Sequence, residues 1–186
     1  MEKKKSENNL LFSKKESEYE YHIFQCPKRM RREMNKIFPK QFGKEGTEDV
    51  EELKLIIYFQ KSRYDLICYG EKSESEKERC WNHLFEMIKS IKKSVELLDK
   101  PNWLDFTDPA NGFPFYSERG GFQYNDLEGI QSTLKYQMIQ AGGCCVFLHP
   151  IWSTNVYPST IFTTVETTKI QNVLEEYFSK IKSSSN

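Results

Sequence analysis

The sequence predicts an α+β fold: a single domain with a mainly antiparallel sheet and flanking helices. Three observations carry that expectation. Residues 73–98 place Trp81, Leu84, Phe85, Ile88, Ile91, Val95 and Leu98 at helical spacing. Residues 166–181 do the same with Ile170, Val173, Leu174, Tyr177, Phe178 and Ile181. The remaining apolar and β-branched runs are short and do not alternate regularly with helices, which disfavours a parallel sheet.

The elements follow in chain order. Residues 1–18 are mostly Lys, Glu, Ser and Asn with one apolar break at 10–12, and read as a disordered tail. The domain proper is expected over 19–182, with 183–186 as a second tail. Residues 19–24 alternate weakly, as a strand does. Residues 27–38 suit a helix with Cys26 at the cap, Pro27 at the first helical position and Pro39 as its stop. Its apolar face is Met30, Met34, Ile37 and Phe38; Lys28, Arg29, Arg31, Arg32 and Lys36 cover the rest, as the solvated side of a core helix or a dock for an acidic partner. Residues 52–59 and 64–69 are apolar runs joined closely, the pattern of a β-hairpin.

Pro101 breaks the long helix, and 103–106 is a short strand. Asp108, Pro109, Ala110, Asn111 and Gly112 are turn chemistry, because Pro fixes φ and Gly tolerates a positive one. A helix is expected over 126–139 and a strand over 143–149, ended by Pro150. Residues 155–165 form another strand, where Pro158 marks a bulge or an edge.

Composition narrows the function classes. Within 186 residues, 27 basic side chains balance 27 acidic ones, so no global field gathers nucleic acid. No apolar run approaches the ~20 residues that span a bilayer, so no membrane association is expected. The lysine-rich start is followed by no apolar signal core, and Glu2, Glu7, Glu16, Glu18 and Glu20 argue against a mitochondrial transit peptide. The cytoplasm is the expected compartment; a mitochondrial one stays open without a clear transit peptide. The five cysteines, Cys26, Cys68, Cys80, Cys144 and Cys145, are odd in number and lack zinc-site spacing, as expected for reduced thiols. There is no phosphate-binding glycine loop, zinc-protease motif or nucleophile elbow, and His22, His83 and His149 are far apart in sequence.

Two stretches carry chemistry. The first is Gly142-Gly143-Cys144-Cys145. Two glycines leave the backbone room for another surface. Adjacent strand residues point to opposite faces, so Cys144 goes with Val146 and Leu148, and Cys145 with Phe147 and His149. The thiols fit small buried hydrophobes, soft ligands for a late transition metal, or nucleophiles. A Cys145–His149 dyad is weak, because two residues four apart on an extended strand are separated by roughly 13 Å. The second stretch runs from Trp103 to Phe115, where Asp105 and Asp108 are a candidate carboxylate pair and Asp108 is more simply a turn former.

Together these stretches resemble the cobalamin trafficking protein D family, that of the methylmalonic aciduria and homocystinuria type D protein. The pattern W-x-D-F-x-D-P-x-x-G is met by Trp103, Asp105, Phe106, Asp108, Pro109 and Gly112, with Tyr116 where the family has a final phenylalanine. It continues as Gly143-Cys144-Cys145, then His149-Pro150-Ile151-Trp152-Ser153-Thr154, then Ser159-Thr160-Ile161-Phe162-Thr163. The Cys26-Pro27 to Phe38-Pro39 segment also resembles the family's. Gly142 stands where an apolar residue is usual, and Ser153 where glycine is.

The resemblance implies a flavin-free nitroreductase-like fold without enzymatic activity. It implies an adaptor that binds no cofactor alone but shares cobalamin with a cobalamin-loaded type C processing protein. The first cysteine of Gly-Cys-Cys, here Cys144, would give its thiolate to cobalt, with Gly142, Gly143 and Cys145 at the approach. Cobalamin would pass on to methionine synthase or methylmalonyl-CoA mutase. Trp103, Asp105, Asp108, Pro109, Gly112 and Trp152 are expected to be structural. The alternative function is a flavin-dependent, nitroreductase-like oxidoreductase.

Overall fold

The structure, a computed structural model, describes residues 9–99, 102–141 and 143–184. Seven strands and five helices lie among them: β1 (Leu10–Lys15), β2 (Tyr19–Gln25), α1 (Lys28–Ile37), α2 (Pro39–Phe42), β3 (Lys54–Lys61), α3 (Glu71–Glu96), β4 (Leu104–Phe106), α4 (Asp126–Thr133), β5 (Gln137–Ala141), β6 (Cys144–Leu148), β7 (Val156–Thr163) and α5 (Thr167–Ser184). Five strands form one sheet in the order β1-β2-β3-β7-β4 with every neighbour antiparallel, and β5 and β6 form a separate hairpin. The α+β class is as the sequence predicts.

The large sheet is covered on both faces, which explains the nearly unbroken apolar run of β3. Alternate residues feed two cores. Tyr21, Ile23, Ile56, Tyr58 and Ile161 pack against α3 and α5 through Leu84, Ile88, Ile91, Ile170, Leu174 and Phe178. Phe24, Leu55, Ile57, Phe59 and Phe162 pack beneath Met34 and Ile37 of α1, Ile130 of α4 and Phe147 of β6. The hairpin therefore sits on the face opposite α3 and α5, held there by its own buried aromatic residue.

Several expectations are corrected. The 1–18 tail is overturned over Leu10–Lys15, which pairs with β2 as an edge strand. Its apolar break gives Phe12 a seat against Tyr21, at 5.9 Å between ring centres. Lys14 and Lys15 bring charge to that edge, a common guard against further strand pairing. The 52–59 and 64–69 runs do not form a hairpin, because β2 and β7 occupy both edges of β3 along its whole length. Residues 62–70 instead form an irregular connection, in which the Ser62 hydroxyl donates to Tyr64 O and Asp65 accepts from Ile67 N.

The 126–139 helix is shorter than predicted. Asn125 caps α4 by accepting from Leu127 N and Glu128 N. The helix stops at Thr133, whose hydroxyl donates back to Gly129 O, and Lys135 turns the chain with φ +57° into β5. Pro27 is the cap of α1 rather than its first residue, and Pro39 opens the short α2. Of the expected 183–186 tail, Ser183 and Ser184 belong to α5, and 185–186 lie outside the described residues. Pro158 lies where β7 extends past β4, which pairs only with Ile161–Thr163, so the missing N–H falls at a local edge.

Candidate functional site

The site is built on the β5–β6 hairpin. Ala141 pairs with Cys144 and Gln140 with Cys145, so the chain reverses between Ala141 and Cys144. Gly143 has φ +87°, which L side chains rarely adopt, and open space where a Cβ would stand. Glycine here serves the reversal and leaves room beside Cys144. Gly142, singled out with it, lies outside the described residues.

Cys144 and Cys145 are both exposed, and burial deepens along the strand to Phe147 and His149. Cys144 and Val146 line a cleft of about 1250 Å³ whose other walls include Leu66 and Ile67 of the irregular connection and Trp81 of α3. Asp108, Pro109 and Ala110 line the same cleft. The two stretches singled out in the sequence therefore meet around one cysteine. Among the cysteines only Cys144 lines this cleft.

The base of the hairpin is fixed by a buried polar cluster that the sequence pattern did not reveal. Tyr136 precedes β5 and His149 follows β6; both reach Glu20 of β2, which is fully buried. The Tyr136 hydroxyl donates to Glu20 Oε1 at 3.0 Å, and His22 Nε2 lies 2.5 Å from the same oxygen. His22 Nδ1 is 2.9 Å from the Ser13 hydroxyl of β1. His149 Nδ1 accepts from the backbone N–H groups of Ile151 and Trp152, at 3.2 Å each. The proton of neutral His149 therefore belongs on Nε2, which faces Glu20 Oε2 at 3.4 Å, near enough for attraction without hydrogen-bond alignment. Burial works against the charged carboxylate, but His149 and His22, with Lys15 behind them, outweigh it and hold Glu20 well below the usual carboxylate range.

This arrangement removes the Cys145–His149 dyad. His149 Nδ1 is taken by two backbone donors, Nε2 faces Glu20 Oε2 at 3.4 Å, and the buried ring stacks on Trp152 at 4.4 Å, whereas Cys145 is exposed. His83 is elsewhere, 3.1 Å from Gln60 Oε1. Among the described residues no group of three or more His, Cys, Asp or Glu side chains is arranged to hold a metal ion.

The motif residues around the cleft brace it. Asp105, fully buried, accepts from the N–H groups of Phe106, Tyr116 and Ser117 at 2.7–3.0 Å and so binds β4 to the following loop. Asp108 accepts from Ala110 N and Asn111 Nδ2, a local turn, so the two aspartates do not act as a catalytic pair. Gly112 has φ +72°, and a Cβ there would stand 2.2 Å from Tyr124 O. Trp103 sits edge-on between Phe38 and Phe42 while its carbonyl accepts from the Thr163 hydroxyl.

The thiols divide by environment. Burial pushes Cys26 up to about 12 and Cys80 up to about 11, which keeps both protonated and unreactive. Brief treatment of the folded chain with iodoacetamide is expected to label Cys68, Cys144 and Cys145 and to spare Cys26 and Cys80. Peptide mass mapping reads this directly; protection of Cys144 would contradict its position at the cleft.

Comparison with known proteins gives the family. The family model for the methylmalonic aciduria and homocystinuria type D protein matches residues 1–174. The chain belongs to this family. Among similar proteins is the cobalamin trafficking protein CblD of Rattus norvegicus, 25% identical over 138 residues, which are 74% of this chain and 44% of that protein. The Gallus gallus protein of the same name is 26% identical over 146 residues, 76% of this chain and 45% of its own. The Homo sapiens protein is 25% identical over 138 residues, with 74% and 44% covered. The chain thus spans less than half the length of the curated relatives it matches.

One departure from the type D pattern has a structural consequence. Ser153 closes the turn after β6, exchanging backbone hydrogen bonds with His149 at 2.9 and 3.0 Å, and holds φ +54°. A left-handed conformation costs a non-glycine residue roughly 1–2 kcal/mol. Ser153→Gly is therefore expected to stabilise the fold by about 1 kcal/mol, less the extra entropy of an unfolded glycine. Urea unfolding tests this; a loss of stability would mean that the serine side chain earns its place.

Proposed function

We propose that this chain is a non-enzymatic adaptor in cobalamin trafficking. It binds the type C processing protein while that protein holds cobalamin, and gives the Cys144 thiolate to the cobalt. The cargo then moves toward methionine synthase or methylmalonyl-CoA mutase.

The observation that carries this reading is the exposed Cys144 sulfur at the tip of a hairpin whose base is pinned to the sheet. Family membership and the names of the relatives support the trafficking role. The chemistry is consistent with it. A thiolate is a soft ligand, and coordination itself removes the proton, so the free thiol need not be ionised beforehand. A corrin ring is broad and fringed with amides, and Gly143 beside Cys144, with open space where a Cβ would stand, leaves room for its approach. Cobalamin here is cargo brought by the partner.

Co-purification with the type C protein, with and without cobalamin, tests the reading. A stable complex is expected only with cobalamin bound. Equal association in its absence, or none in its presence, would contradict a cobalt-centred contact.

A further inference from the structure

The cleft around Cys144 has a charged wall beside its apolar one. Glu71, Glu74, Glu78 and Trp81 of α3 all line it, and their spacing of three, four and three residues sets them in one row along the helix. Asp108 lines it too, so four carboxylates meet one cation there, Lys77. Lys77 pairs with Glu74 at 2.8 Å, and Asp108 accepts only from the neutral Ala110 N and Asn111 Nδ2. Tyr69, 87% exposed, lines the same cleft. Aromatic faces of this kind take guanidinium and ammonium groups.

The helix itself does not account for this row. Glu71 and Glu74 lie in the first turn of α3, where the helix dipole favours acids, but Glu78 lies beyond it. Like charges three or four residues apart repel, so Glu74 opposes both of its neighbours in the row. Elsewhere on α3 the acids are matched: Glu76 by Arg79 at 2.6 Å, Glu86 by Lys89 at 3.4 Å and Glu96 by Lys92 at 3.2 Å. The two acids of α3 without an ion-pair partner among the described residues, Glu71 and Glu78, are both exposed and both line the cleft.

We infer that this wall docks a basic segment of the cobalamin-carrying partner, whose arginine or lysine side chains pair with Glu71 and Glu78 and lie over Tyr69. The inference rests on the proposed function and adds the chemistry of the partner's contact surface. Cobalamin brings neutral amides and an anionic phosphate diester, so the matching cations belong to the protein that carries it. The contact steers the partner onto Cys144, and steering acts on the rate of association.

Binding of the chain to immobilised, cobalamin-loaded type C protein, followed by surface plasmon resonance at rising salt, tests this. Wild-type association is expected to slow as salt rises. Glu71→Gln/Glu78→Gln is expected to associate roughly tenfold more slowly at low salt and to lose most of the salt dependence. Both side chains are exposed and unpaired among the described residues, so the fold stays intact. Glu86→Gln/Glu96→Gln removes as much charge from α3 outside the cleft and is expected to associate as wild type does.

The visible spectrum of the same proteins mixed in solution reads the cobalt contact separately. Salt-dependent association without a spectral shift would leave this inference standing and contradict the cobalt–sulfur contact; a shift with association indifferent to salt would do the reverse. The inference is also overturned if the cleft variant associates at the wild-type rate, if the matched control slows association equally, or if no association occurs.

Discussion

Replacing Glu20 with alanine is expected to destabilise the fold by about 3–5 kcal/mol, the range seen when one member of a buried charged cluster is removed. The loss comes from the groups left behind. Tyr136, His22 and His149 all turn polar atoms toward the fully buried carboxylate, and the two histidines are themselves buried away from water that could replace it. The hairpin should suffer first, since two of these groups flank it. Hydrogen exchange in 137–148 should therefore rise more than exchange in β3.

Glu20→Gln isolates the charge from the packing. The folded carboxyl titrates well below its ordinary value of 4.5, so its charged form adds stability above that pH. That contribution is lost as the pH falls through the depressed folded value. The stability gap between wild type and Glu20→Gln should be widest near neutrality and should shrink below pH 4.5. Urea midpoints across the acid range measure it. A gap independent of pH would mean that the carboxylate contributes shape and not charge.

Much of the architecture was legible in the sequence because it is local. The heptad-like spacing from Trp81 to Val95 can bury only as a helix, and α3 follows it. Turn chemistry from Asp108 to Gly112 is equally local, and the turn forms where predicted. The failures are non-local. Nothing within 52–69 says that both edges of β3 will be taken by strands about 35 and 100 residues away, which is what excludes the hairpin. The tail reading failed over β1 because edge strands tolerate the lysines and serines that also mark disorder.

The site divides in the same way. Cys144 stands out through a local four-residue motif, and the structure places it exposed at the hairpin. The pairing of Glu20 with His149 joins residues 129 positions apart, and only the sheet and hairpin bring them together. One signal was available: Glu20 and His22 alternate with apolar residues on a strand that is otherwise buried, an unusual place for charge without a partner.

The second large effect concerns the metal. Cys144→Ser is expected to abolish the proposed thiolate–cobalt bond while leaving the fold intact, because the side chain is exposed and belongs to neither core. An alkoxide is a poor substitute, since serine holds its proton under conditions where a metal readily deprotonates a thiol. The visible spectrum of the cobalamin-loaded type C protein should shift on adding wild type and on adding Cys145→Ser, and should stay unshifted with Cys144→Ser.

X-ray absorption at the cobalt edge of the purified ternary complex puts the question to the bond itself. A sulfur atom in the cobalt coordination shell with wild-type protein, absent with Cys144→Ser, is the predicted result. A shell containing only nitrogen and oxygen in the wild-type complex would contradict it.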